Sequence, residues 1–172
     1  MQNICDILKI RISGLSNGIH EYHFTSDPSE IGLEPNFTSP VDVLAVVDKA
    51  QHQLYVKTEL KTSGTFSCDR CLDEFIQPID ARYNTFYVFD EEQRGKYPAD
   101  EVQVLSPDTV SIDLTEDVKE VVILSVPLKL LCKQDCKGLC PHCGTNRNKS
   151  LCDCKDDRID SRWEGLANLL ND

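Results

Sequence analysis

The sequence predicts an α+β protein: a β-rich antiparallel sheet or partial barrel with one main helix, then a small C-terminal cysteine-rich module and a terminal helix. Three observations carry that prediction. Apolar and polar residues alternate with a two-residue period through much of the first 89 residues. One stretch near 114–125 spaces its apolar residues for a helix face. Six of the nine cysteines fall within 23 residues, at 132, 136, 140, 143, 152 and 154. At 172 residues the chain can bury one ordinary core and little more, and the expected boundary separates a β-rich acidic domain, 1–128, from a cysteine-rich module, 129–172.

Taken in order, Leu8, Ile10 and Ile12 alternate with Lys9, Arg11 and Ser13, as in a half-buried strand. Residues 14–18, with a glycine at each end, offer a turn, and residues 19–24 are expected to return as that strand's partner. The stretch between Pro35 and Pro40 reads as a loop, 41–47 as a strand, 48–51 as a turn, and 54–66 as a second alternating strand. Beyond Cys68-Asp69-Arg70-Cys71, the apolar residues from Phe75 to Phe89 make one or two more strands. Residues 90–111 are acidic and broken by Gly95, Pro98 and Pro107, so a mobile surface loop is expected. Asp113, with Glu116 three residues on, has capping-box spacing. Leu114, Val118, Val121, Val122 and Leu124 then supply an apolar helix face that Pro127 ends. A short last helix is expected from Asp160, with Ile159, Trp163, Leu166 and Leu170 on one side and Trp163 as its anchor.

Hydrophobic content of 40% and charged content of 27% suit a globular chain. The longest mainly apolar stretch, 121–128, is far shorter than the roughly 20 residues of a membrane helix. The first residues lack the basic and apolar regions of a secretory signal, so a cytoplasmic location is expected. Thiols there stay reduced, which weighs against disulfides. The net charge of −11 is unevenly spread. Residues 1–128 hold 10 Lys/Arg against 22 Asp/Glu, whereas 129–149 hold Lys129, Lys133, Lys137, Arg147 and Lys149 against Asp135 alone. Such a body repels phosphate backbones and attracts basic proteins, so nucleic-acid contact belongs to the basic island if anywhere. The island has a plainer use: four thiolates on Zn²⁺ leave a centre of about −2 that nearby lysines offset. A Gly-rich phosphate loop, a serine elbow and a His-Glu-x-x-His helix are all lacking, so the expectation is a protein that is not an enzyme and has no catalytic residues.

Cysteines two residues apart clasp a tetrahedral ion, because the turn aims backbone N–H groups at the sulfurs. Cys140-Pro141-His142-Cys143-Gly144 is the sharpest such signal, with Cys152 and Cys154 the nearest source of two more ligands. Cys68 and Cys71 make another pair, and Cys132 and Cys136 a further one just past Pro127. The favoured scheme is two four-thiolate sites, Cys68/Cys71/Cys132/Cys136 and Cys140/Cys143/Cys152/Cys154. A single tail site drawing on Cys132 or Cys136 stays open. One or two structural Zn²⁺ ions are expected, although four thiolates accept iron as well. His142 is expected to be exposed and not a ligand, His20, His23 and His52 to be surface or core residues, and Cys5 to be a small buried apolar residue. The rival reading of Cys68-Asp69-Arg70-Cys71 is a redox dithiol, which would sit at a helix start in a βαβ unit; no such rhythm is visible.

Several of these motifs together resemble the YceD family, the large ribosomal RNA subunit accumulation proteins of bacteria and plastids. They are the turn at 68–72, the Ile112-Asp113-Leu114 start and Val126-Pro127-Leu128 end of the helix, residues 136–146, and the closing Asp160-Ser161-Arg162-Trp163 with 166–170. Where the family pattern has leucine between two asparagines, this chain reads Asn146-Arg147-Asn148, which adds a charge to a turn. The resemblance implies a part in accumulating or maturing large-subunit rRNA and so in ribosome assembly. Two routes fit the residues. The acidic body could hold a ribosomal protein or assembly factor on the large-subunit precursor while the zinc module docks. Alternatively Lys133, Lys137, Arg147 and Lys149, with Lys129, could touch rRNA directly. The first is favoured, because the body's field opposes RNA and residues 129–154 contain no aromatic stacking platform.

Overall fold

Alternating side chains build one long sheet. In the computed structural model, which describes residues 8–154, the strands β1 (Lys9–Arg11), β2 (Gly18–Ser26), β3 (Val41–Lys49), β4 (Gln53–Ser67) and β5 (Glu74–Val88) come first. They are followed by α1 (Glu91–Arg94), β6 (Val102–Val104), β7 (Ser111–Asp113) and α2 (Thr115–Leu124). The main sheet is open, ordered β2-β3-β4-β5-β6, and β1 pairs with β7 in a separate ribbon. Along β3 the exposed or half-exposed Asp42, Leu44 and Val46 alternate with buried Val41, Val43, Ala45 and Val47. In β4, Leu54, Val56 and Leu60 point to the same inner face. Val118 and Val122 of α2, with Leu114 before it, are fully buried against that face beside Leu8, Ile10 and Tyr87. Val126 ends the packed stretch and Pro127 prevents helix continuation. No helix of the described residues is long and apolar enough to cross a membrane.

Three expectations are corrected. The return strand after residues 14–18 does not pair with the first strand. β2 instead pairs with β3 over nine residues, from Gly18↔Lys49 to Ser26↔Val41, whereas β1 has only three residues and finds β7. The longer ladder wins, and it frees Leu8, Ile10 and Ile12 to be buried on the inner side. Residues 90–111 are not simply a loop. They include α1, capped by Asp90 accepting from Glu92 N, and β6, which runs parallel to β5 and so breaks the purely antiparallel pattern. Tyr97 anchors this excursion by stacking on Phe86, which stacks in turn on Tyr55. Finally, the cap of α2 is Leu114 without a side-chain bond, while Asp113 one residue earlier accepts from Thr115 N at 2.9 Å. Cys5, the helix expected from Asp160 and its Trp163 lie outside the described residues.

The feature that positions the site is the length of β4 and β5. They pair without a break from Gln53↔Val88 to Ser67↔Glu74, but β3 pairs with β4 only as far as Lys61. The remaining ribbon projects past the sheet. A segment around Asn36 and Phe37 braces it: Thr65 N donates to Asn36 O at 2.7 Å, and Phe37 meets Phe66 edge-on. Gly64 permits this approach, since a Cβ there would lie 2.7 Å from the Phe66 ring and 3.0 Å from Asn36 O. The first cysteine pair sits at the tip.

Candidate metal centres

Both Cys-x-x-Cys turns have one backbone design. In the first, Cys68 N donates to Asp73 O at 2.9 Å and Leu72 N donates to Cys68 O at 2.9 Å. In the second, Cys140 N donates to Thr145 O at 2.8 Å and Gly144 N donates to Cys140 O at 2.9 Å. The residue after the second cysteine is left-handed in both, with φ 60° at Leu72 and 72° at Gly144. Glycine suits that conformation; leucine does not, and Leu72 is the one non-glycine residue with positive φ among the described residues.

The chain leaving α2 docks against the first turn. Asp69 N donates to Leu130 O at 2.8 Å, and Asp69 Oδ2 accepts from Leu130 N at 2.7 Å. Arg70 Nη1 donates to Cys136 O at 2.8 Å, and Arg70 O accepts from Leu139 N at 2.9 Å. Gly138, at φ 73°, lies so close that a Cβ would stand 3.0 Å from Arg70 O. These bonds bring Cys132 and Cys136 over Cys68 and Cys71, with Sγ–Sγ separations of 3.8 Å for Cys68–Cys136 and 3.6 Å for Cys71–Cys132. All four sulfurs lie within 4.8 Å of one another. Cys68, Cys71 and Cys136 are buried, with Phe75, Leu131 and Leu139 packed around them.

From Cys136 the chain enters a small hairpin, closed by a Leu139↔Asn146 bridge and by Arg147 N donating to Gly138 O at 2.9 Å. Its end carries Cys140 and Cys143, and the chain beyond returns Cys152 and Cys154 so that these four sulfurs also lie within 4.8 Å of one another. This group is more open: Cys140 is buried, Cys152 intermediate, and Cys143 and Cys154 exposed. The hairpin's return arm reaches the first turn as well. Asn146 Nδ2 donates to Asp73 Oδ2 at 2.9 Å, Lys149 Nζ pairs with Asp73 Oδ1 at 2.8 Å, and Asn148 Nδ2 donates to Cys136 Sγ at 3.3 Å.

All eight of these thiols are free. The 3.6 and 3.8 Å separations far exceed the roughly 2.0 Å of a disulfide. They match a tetrahedral ion instead: a metal bound about 2.3 Å from each sulfur sets the sulfurs about 3.8 Å apart. Acidities point the same way. Burial alone would raise Cys68, but backbone N–H groups of Cys132, Arg70 and Cys71 outweigh it and lower the thiol to about 6. Burial and the neighbouring thiols push Cys132 up to about 12. In the second group, hydrogen bonding with the side chain and backbone of Thr145 lowers Cys143 to about 6, while the Cys143 sulfur and then burial raise Cys154 to about 12. Each group thus has sulfurs prepared to ionise beside others that resist it, because four thiolates cannot sit together without a cation. Each group of four could hold a metal ion.

Lys129, Lys133, Lys137, Arg147 and Lys149 are all exposed, but Lys149 is engaged by Asp73. His142 is exposed and in neither sulfur group. Cys68 and Cys71 join two antiparallel strands, not a strand and a helix, and each faces two further thiols. Sequence reasoning missed Asp69, Arg70, Asp73, Asn146 and Asn148, which hold the two turns together. Only the Asn-x-Asn spacing, with both side chains on one arm, could have signalled part of that network.

An open sheet bearing two four-thiol groups, each able to hold a metal ion, defines the class of this protein. The chain belongs to the YceD family, described as large ribosomal RNA subunit accumulation protein YceD, whose profile matches residues 56–170. The YCED homolog 1 of Arabidopsis thaliana, a chloroplastic large ribosomal RNA subunit accumulation protein, is 35% identical over 63 residues, covering 37% of this chain and 20% of its own length. The chain thus spans a fifth of that plant relative. An uncharacterised protein of Mycobacterium tuberculosis is 27% identical over 168 residues, covering 93% of this chain and 78% of its own length. The uncharacterised YlbN of Bacillus subtilis is 26% identical over 133 residues, covering 77% and 75%. No solved structure matches the chain.

Proposed function

We propose that this chain is a non-catalytic, cytoplasmic factor in the accumulation of large-subunit ribosomal RNA, acting through a surface held in shape by two structural zinc ions. The observation that carries this reading is the pair of four-sulfur groups at the projecting end of the β4–β5 ribbon, in a chain of the family named for that process. Bound zinc would supply a four-coordinate crosslink at each group, with every position filled by sulfur and none open to water. Residues 130–154 contain no strand or helix beyond an isolated bridge, so their hold on the sheet comes from the hydrogen bonds to residues 69–73, the small cluster around Leu131 and Leu139, and the two sulfur groups.

The chain's own residues then do the recognition. Lys133, Lys137 and Arg147 stand exposed on the basic segment, which is docked on a body whose residues 1–128 carry a net charge of −12. That body favours a basic protein partner on the large-subunit precursor over bare RNA, since its field acts over roughly 8–10 Å in physiological salt. Wild-type protein should co-sediment with large-subunit precursors, and a Cys68→Ser/Cys71→Ser variant should not. Absence of the wild type from those fractions, or equal retention of the variant, contradicts the proposal. Charge reversal at Lys133, Lys137 and Arg147 separates the routes: a steeply salt-dependent loss of binding to naked rRNA fragments would favour direct RNA contact instead.

A further inference from the structure

The return arm of the hairpin belongs to the second sulfur group by sequence and serves the first by contact. Asn148 shows this most clearly. Its Nδ2 carries two hydrogens, one donated to Cys136 Sγ at 3.3 Å and one to Asn146 Oδ1 at 3.0 Å. Its Oδ1 accepts from Lys137 N at 3.0 Å, and its own backbone N donates to Asn146 Oδ1 at 2.9 Å. The Oδ1 and one Nδ2 hydrogen are therefore aimed at Cys136 and Lys137, and the other hydrogen ties the side chain to its own arm. Asn146 and Lys149 reach past it to Asp73, next to the turn that carries Cys68 and Cys71. The arm is tied at its base by the Leu139↔Asn146 bridge and by Arg147 N donating to Gly138 O, and at its far end Cys140 and Cys143 face Cys152 and Cys154.

We propose that the two metal sites are coupled through this arm, with Asn148 as the positioning residue: an ion in the second group holds the Asn148 amide on the Cys136 sulfur and so slows loss of the ion from the first. The coupling presupposes that both groups hold metal, as proposed above. A hydrogen bond donated to a thiolate stabilises its charge and fixes its direction, and loss of such an outer partner typically weakens metal affinity about 10–100-fold. By linkage any gain in equilibrium affinity is mutual, so an ion in the first group also favours binding in the second. The unequal exposure of the groups decides which ion solvent and chelators reach first. The first is shielded, with three of its four cysteines buried, and the second offers Cys143 and Cys154 to solvent.

The test uses the full chain loaded with ¹¹³Cd²⁺, each cadmium signal being assigned through the Hβ protons of its own cysteines. Asn148→Ala should shift the signal of the Cys68/Cys71/Cys132/Cys136 site and leave the other in place. It should also speed loss of the first ion to excess EDTA by about tenfold or more. Cys154→Ser, which weakens only the second group, should speed loss from the first as well. The double variant should lose the first ion no faster than Asn148→Ala alone, because the link is already cut. Unchanged shift and release in Asn148→Ala, unchanged first-ion release in Cys154→Ser, or simple additivity in the double variant would each overturn the coupling. A wild-type chain that takes up no cadmium would instead overturn the metal-site reading on which the coupling stands.

Discussion

Leu72 and Gly144 hold the same place in two turns, but only glycine fits it without strain. A left-handed residue with a Cβ costs roughly 1–2 kcal/mol, and Leu72 is 66% exposed, so its side chain recovers little of that by burial. Leu72→Gly is therefore expected to raise stability by up to about 1 kcal/mol, partly offset by the freer unfolded chain, as measured by urea unfolding. Gly138→Ala should do the opposite and cost about 2 kcal/mol or more, since it combines φ 73° with a Cβ 3.0 Å from Arg70 O. The glycine after Cys143 is legible in the sequence as the end of a knuckle. Leu72 is not, because nothing local to residues 68–73 marks a positive φ except likeness to the other turn.

The thiols themselves give a pH signature. Cys132 and Cys154 stand at about 12 in the metal-free chain, above the ordinary 9.0. Their raised values favour folding below 9, and that contribution is lost as pH rises from 9 towards 12, since the unfolded chain gives up these protons first. Cys68 and Cys143, at about 6, work in the other sense: their contribution is present above 9 and is lost as pH falls through about 6. Stability of the metal-free protein should thus rise between about 6 and 9 and fall beyond 9. Loaded protein should lack the alkaline fall, because its sulfurs are already thiolates, and should release metal on acidification. Thermal melts across pH with and without chelator check both branches.

Among elements, the ones that could be read are those whose alternation outlasts their ends. β3, β4 and β5 are nine or fifteen residues long and alternate along most of their length, and α2 shows its buried Val118 and Val122 at helical spacing. What could not be read is pairing. Three residues of β1 say nothing about whether β2 or β7 lies beside them, and the choice follows from the nine-residue β2–β3 ladder. β6 escaped for a similar reason, as Val102-Gln103-Val104 is too short to stand out from its acidic surroundings. The packing of α2 gives an element-scale test. Val122→Ala, at a fully buried position, should cost about 2 kcal/mol while leaving metal content unchanged, because the residue belongs to the sheet core and not to the sulfur cluster.

At the scale of the molecule, two kinds of stabilisation meet at the end of one ribbon. The sheet and α2 bury an apolar core of ordinary composition, whereas the first sulfur group gathers its own small cluster of Phe75, Leu131 and Leu139. Cysteine spacing alone made the pairs visible, and counting pairs suggested two groups. Which pair meets which is decided over distance, by Asp69 and Arg70 gripping residues 130–139, and no local pattern announces that. The family to which the chain belongs concerns large ribosomal RNA subunit accumulation, and the basic segment carries its exposed cations beside the two four-sulfur groups. The most direct test is elemental analysis of untagged protein purified under reducing conditions, combined with amide exchange over residues 130–154. Two zinc ions per chain, and protection there that collapses on chelation while the sheet stays protected, are the predicted result. A metal-free chain with the same protection would contradict it.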